Sequence, residues 1–156
     1  MRANKIYVEN IDYPIKLQWD RQLSDFTYMF SDCESITSAY MHYIFGDNCD
    51  LSYMFKDCKY LQTFNYDTYC NNEHEIIHTS YMFYNCLSLT SFSFNNLYMD
   101  DYYYSRDKSY MFYNCQNLNS ISFDDDNKIR YIRNMRYMFY NCITLKSINL
   151  NTFKTY

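Results

Sequence analysis

The chain has 156 residues and a formal net charge of −4, from 14 Lys and Arg against 18 Asp and Glu with no long block of one sign. That balance excludes a basic, phosphate-tracking surface, so no nucleic-acid partner is expected. No apolar run approaches the ~20 residues that a membrane-crossing helix needs, so no membrane span is expected either. Turns must be built almost without glycine, because Gly46 is the only one and Pro14 the only proline. Asn and Asp are therefore expected at the left-handed and turn positions.

Residues 1–22 open the chain. Ile6, Val8 and Ile11, then Ile15, Leu17 and Trp19, alternate as two short strands around Pro14. This predicts a strand-rich N-terminal cap over 1–22. The first residues lack the 7–15-residue apolar stretch of a signal peptide, so no secretion signal is visible.

From residue 23 the sequence repeats. Met29-Phe30-Ser31-Asp32-Cys33 returns at Met54–Cys58, Met82–Cys86, Met111–Cys115 and Met138–Cys142, at spacings of 25, 28, 29 and 27 residues. A tyrosine precedes each copy: Tyr28, Tyr53, Tyr81, Tyr110 and Tyr137. Periods of this size mark stacked supersecondary units that cannot bury an apolar face alone. The spacing of Leu23, Phe26, Met29 and Phe30, and of Ile132, Met135, Met138 and Phe139, predicts one or two helical turns before each motif.

After each Cys, apolar residues alternate. They are Ile36, Ala39, Met41; Leu61, Phe64, Tyr66; Leu89, Phe92, Phe94; Leu118, Ile121, Phe123; and Leu145, Ile148, Leu150. Period two predicts a short strand with these side chains inward. Thr63, Asn65, Ser91, Ser93, Ser120, Ser122, Ser147 and Asn149 then line the outer face. Together the elements predict an α/β repeat solenoid over 23–156, a coil of about five repeats. A short parallel sheet is expected on one face, helical turns on the other, and a length of roughly 25 Å at ~4.8 Å per strand.

Five cysteines, Cys33, Cys58, Cys86, Cys115 and Cys142, share one repeat position and read as buried thiols in a ladder. Cys49 and Cys70 fall off that ladder and read as the more reactive pair. The Asp32, Asp57, Asn85, Asn114, Asn141 position reads as the bend, its side chain bonding nearby backbone. His74-Glu75-Ile76-Ile77-His78 spells the His-Glu-x-x-His zinc motif. A zinc hydrolase through His74, Glu75 and His78 is the weakest of the alternatives, because no His-x-x-Gly-x-x-His follows to supply a third ligand and the helix it needs would run into Tyr81-Met82-Phe83. Cys70, His74 and His78 stay a weak metal candidate, and no cofactor is expected. The longest insertion carries Tyr102, Tyr103 and Tyr104, contact residues of low entropy cost.

The Met-Phe-x-x-Cys-x-x-Leu-x-x-Ile-x-Leu unit resembles that of the BspA-like leucine-rich repeat surface proteins, over roughly residues 23 to 153. The resemblance implies a leucine-rich-repeat-like coil, no catalytic residues, and a cell-surface or secreted role in adhesion or host contact. The expected function is non-catalytic binding of a protein or glycan through the concave strand face and the Tyr102–Tyr104 loop. The alternative is a structural subunit that stacks end to end on other copies, because a last coil without a cap exposes strand edges.

Overall fold

The computed structural model describes residues 4–10, 14–19, 23–42, 45–67, 76–94, 107–122 and 134–148. Nine strands are present: β1 (Asn4–Asn10), β2 (Pro14–Trp19), β3 (Leu23–Asp25), β4 (Ile36–His42), β5 (Phe45–Asp50), β6 (Thr63–Asp67), β7 (Ile76–His78), β8 (Ser91–Ser93) and β9 (Ser120–Ser122). Among the described residues there is no helix. The expected helical turns, and with them the α/β class, are overturned.

The reason lies in the hydrogen bonds of the motif. Met29, Ser31 and Cys33 donate their N–H groups three residues back, to the carbonyls of Phe26, Tyr28 and Phe30. The residues between them do not. Phe26, Tyr28, Phe30 and Asp32 donate outward to the carbonyls of Asp50, Ser52, Met54 and Lys56 in the next repeat, at 2.7–3.2 Å. A helix would spend every N–H within the segment. Here alternate N–H groups leave it, so the segment is a run of overlapping turns, each lying on the next repeat. The i, i+3 spacing of Phe26 and Met29 is real, but it is the span of a single four-residue turn.

The same pattern recurs. Leu51, Tyr53, Phe55 and Asp57 donate to residues 78, 80, 82 and 84; Thr79, Tyr81, Phe83 and Asn85 to 107, 109, 111 and 113; Lys108, Tyr110, Phe112 and Asn114 to 134, 136, 138 and 140. Two residues per repeat take left-handed φ, the motif tyrosine (55–61°) and the Asp or Asn four residues later (58–62°). Asp and Asn suit that region, as the sequence suggests. Tyrosine does not, and a non-glycine residue there costs about 1–2 kcal/mol. Two effects offset it. Each tyrosine N–H before the last repeat gains an inter-repeat bond worth about 1 kcal/mol. The rings of Tyr28, Tyr53, Tyr81 and Tyr110 stack 4.5–4.7 Å apart with planes within 10°, each contact adding about 0.5–1.5 kcal/mol.

The strands line both ends of this turn segment. β3, β5 and β7 form a parallel sheet leading into it. On the far side β4 pairs parallel with β6, and β8 with β9. Backbone bonds from Thr90 to Gln62 and from Asn119 to Thr90 carry the stack between them. Residues 144–148 of the fifth repeat, where a strand is expected, form none. β1 pairs antiparallel with β2 on one edge and with β4 on the other, opposing Ile6 to Met41 and Val8 to Ala39.

One apolar core runs through all repeats. Its columns are Met54, Met82, Met111 and Met138; Phe30, Phe55, Phe83 and Phe112; and Leu61, Leu89 and Leu118. The phenylalanine column stacks at 5.3–5.8 Å, with Phe64 and Phe92 edge-on to it. Lys108 is also fully buried, in the column of Phe26, Leu51, Thr79 and Met135; no sequence pattern marks it.

Substitutions at Tyr81 separate ring from backbone. Tyr81→Phe keeps the stack and shifts stability by less than about 0.5 kcal/mol. Tyr81→Val places a β-branched residue at positive φ and removes two stacking contacts, lowering stability by about 2–4 kcal/mol. Denaturant unfolding measures both.

Candidate functional site

Each repeat presents two surfaces, and the residues that face them are set by the two halves of the coil. On the strand side, pleating sends alternate side chains outward. Parallel register places Ser38 beside Thr63 and Tyr40 beside Asn65, then Ser91 beside Ser120 and Ser93 beside Ser122. Thr63, Asn65, Ser91, Ser120, Ser122 and Ser147 are exposed, and Ser93 is half-buried with its carbonyl accepting the Tyr66 hydroxyl at 2.8 Å. The result is a two-column array of small polar groups. Of the remaining sequence candidates, Asn149, Tyr102, Tyr103, Tyr104, Cys70 and His74 lie outside the described residues.

His78 ends β7 and is half-buried. Residues 76–78 are strand rather than helix, so this part of the His-Glu-x-x-His segment lacks the helical face that pairs two zinc-binding histidines. His78 instead holds the repeat position of Asp25, Asp50, Asp107 and Asn134. In those four, the side-chain Oδ1 accepts the N–H two residues on, at 2.8–3.0 Å. Hydrogen bonds from the Thr27 side chain and backbone hold the Asp25 carboxyl below its ordinary range. Among the described residues no three His, Cys, Asp or Glu side chains gather as a metal site.

The ladder cysteines have a structural job that the sequence does not announce. Cys58, Cys86, Cys115 and Cys142 donate their thiol hydrogens to the carbonyls of Phe30, Phe55, Phe83 and Phe112 in the preceding repeat, at 3.0–3.1 Å. Each of these four carbonyls also accepts the cysteine N–H of its own repeat. A thiol is small enough for the core and still a weak donor. Burial pushes the Cys58 thiol up to about 12 and Cys142 up to about 11, and raises Cys86 and Cys115 well above the ordinary value. These groups stay protonated and unreactive. Cys49, expected to be accessible, is fully buried in β5; it follows the repeat's own inward position, which the motif spacing does not reveal.

The Asp/Asn position forms a second ladder, from side chain to side chain rather than to backbone. Asn141 donates its amide to Asn114 at 2.6 Å, Asn114 to Asn85 at 2.8 Å, and Asn85 to Asp57 at 2.7 Å. All donors point toward the N-terminus, and the chain of amides ends on a carboxylate. Burial pushes the Asp57 carboxyl up, but hydrogen bonds from Lys56 and Asn85 outweigh it and leave it below its ordinary value. Lys56 also lies 6.0 Å above the Tyr84 ring.

Stacked 25–29-residue turn-and-strand repeats with a polar strand face define a repeat protein. Residues 76–156 match the family described as BspA type leucine rich repeat region (6 copies), which is more than half of the chain. The chain belongs to that family. Residues 6–97 match the family described as Mycoplasma protein of unknown function, DUF285. No curated protein and no solved structure matches significantly. Among the described residues, no helix is long and apolar enough to cross a membrane.

Two measurements probe the ladders. Asn85→Asp removes the amide between Asp57 and Asn114 and sets a second carboxylate beside Asp57. It lowers stability by about 1–3 kcal/mol at neutral pH, and much of the loss returns below pH ~4 as the pair takes up a proton. The thiols give the opposite slope. Burial holds their folded pKa values above that of an ordinary thiol. Their contribution is therefore intact below pH 9 and declines as pH rises toward 11–12, because only the unfolded chain ionises there. Urea midpoints between pH 8 and 11 check it.

Proposed function

We propose that the chain is a non-catalytic binding module, of the microbial surface type, that recognises a protein or glycan through its strand side. The observation that carries this reading is the in-register polar array of Ser38, Thr63, Asn65, Ser91, Ser120 and Ser122. Small hydroxyl and amide groups at a fixed repeat favour many modest hydrogen bonds over one deep pocket. The conspicuous motif residues are spent on the scaffold: Met, Phe and Cys are core, and Asn is tied into its ladder. Family membership supports the reading.

A second reading, end-to-end association, has one observation in its favour. Among the described residues, the fifth repeat's N–H groups at Met135, Tyr137, Phe139 and Asn141 have no backbone acceptor, and the carbonyls of Asp25, Thr27, Met29 and Ser31 in the first have no backbone donor. The two edges are chemically complementary. The strand side opposes it, because β1 already lies along the outer edge of β4, where a stacked copy would place its own last coil. In-register stacking must displace that hairpin, so binding by the monomer is the favoured reading.

Ser91→Lys with Ser120→Lys alters the exposed array and leaves the core untouched. On arrays of glycans and of extracellular-matrix proteins, the double variant should lose at least tenfold in binding while keeping its unfolding midpoint. Equal binding by variant and wild type would sink the strand-face assignment. Light scattering across a concentration series should give a constant monomer mass; mass rising with concentration would favour stacking.

A further inference from the structure

Two columns of tyrosine rings run along the turn side, and the strand-side function makes no use of them. In the first, the Tyr28–Tyr53, Tyr53–Tyr81 and Tyr81–Tyr110 centroids are 4.5, 4.7 and 4.6 Å apart, with planes within 10°. In the second, Tyr84–Tyr113 and Tyr113–Tyr140 are 4.8 and 4.9 Å apart, at 7° and 12°. Neighbouring rings come from different repeats, 25 to 29 residues apart in sequence. The end rungs are open: Tyr28 is 56% exposed and Tyr140 53%.

We propose that these columns are sites of oxidative tyrosine cross-linking, with Tyr28–Tyr53 and Tyr113–Tyr140 the first pairs to couple. One-electron oxidation removes an electron and the hydroxyl proton from each phenol. The unpaired density of the phenoxyl radical lies partly on the carbons ortho to oxygen. Two such carbons on adjacent rings form a new carbon–carbon bond, and the hydrogens they carried move to the oxygens as both rings regain aromaticity. The pair has then lost two electrons and two protons. A peroxide acting through a haem peroxidase accepts them, each peroxide molecule becoming two waters.

Three features favour this outcome over other oxidations. The partner ring is already in van der Waals range, so coupling within the molecule outruns collision between molecules. The exposed end rungs give an oxidant access, and the column lets the radical meet a neighbour at once. The ladder thiols of Cys58, Cys86, Cys115 and Cys142 are buried and stay protonated, which removes the thiolate that oxidation needs. The link would tie the first repeat to the second and the fifth to the fourth. Among the described residues, the turn segments of those two repeats bond to a neighbouring repeat on one side only.

The test uses the full chain, dilute, with peroxidase and hydrogen peroxide. Peroxide alone is the control for oxidation of Met29, which adds oxygen instead of removing hydrogen. The expected product is a monomer lighter by two hydrogens per link, with blue dityrosine fluorescence, a yield independent of protein concentration and a raised thermal midpoint. Proteolysis and mass spectrometry should join the peptide of Tyr28 to that of Tyr53, or Tyr113 to Tyr140. The Tyr28→Phe, Tyr140→Phe double variant keeps the rings and the stack, and its yield should fall to less than about a third of wild type. An unchanged yield in that variant, links mapped only to other tyrosines, or dityrosine confined to dimers and scaling with concentration would each overturn the proposal. So would a folded chain that fails to couple where the urea-unfolded chain succeeds.

Discussion

The structure depends on one division of labour in the backbone. Within each motif, alternate N–H groups close i, i+3 turns, and those between them reach the next repeat. The first set bends the chain; the second binds the coils together. Neither works without left-handed φ at the tyrosine and at the Asp or Asn, because those two residues turn the intervening N–H groups outward. A chain with a single glycine meets this demand with side chains that gain something by being there. The tyrosines stack and the asparagines chain together, and both gains exist only when a neighbouring repeat is in place. The conformational cost is local and its compensation is not, which ties the stability of each repeat to the next.

The side-chain ladders reinforce this coupling with a consistent direction. On the turn side the backbone donates toward the C-terminus, while the cysteine thiols and asparagine amides donate toward the N-terminus. Each interior interface is therefore bonded in both senses. The carbonyl of the motif phenylalanine takes a backbone N–H from its own repeat and a thiol from the following one, which explains why a small apolar residue alone does not fill the cysteine position. At the N-terminal end of the amide ladder the series changes to Asp57 and Asp32, and a charged hydrogen bond from Lys56 joins that of Asn85 on the Asp57 carboxylate.

Such a scaffold leaves its strand side free to vary. Buried positions are set by core columns and turn positions by ladders, and the outward strand residues Thr63, Asn65, Ser91, Ser120 and Ser122 belong to neither. The hairpin of β1 and β2 closes the strand-side edge at the first repeat. The turn-side edge there stays open, and the two sides of the coil end differently.

The sequence by itself determined the repeat, its period, the inward residues of β4, β6, β8 and β9 and the burial of four ladder cysteines, while Cys33 is half-buried. Identical residues at identical spacing must occupy equivalent environments, and period two has one structural meaning. It misread the turn segment, because apolar residues three apart suit a helix and a run of four-residue turns equally well. What separates them is the destination of alternate N–H groups, and their acceptors lie 24 to 28 residues away. Cys49 and Lys108 were hidden for a related reason: they sit at core positions that lie outside the motif. Only the tertiary structure decided that tyrosine would carry positive φ, that the thiols would be donors, and that asparagine would bond asparagine. Each of these depends on a neighbouring coil at about the spacing of paired strands, a distance that no local stretch of sequence encodes.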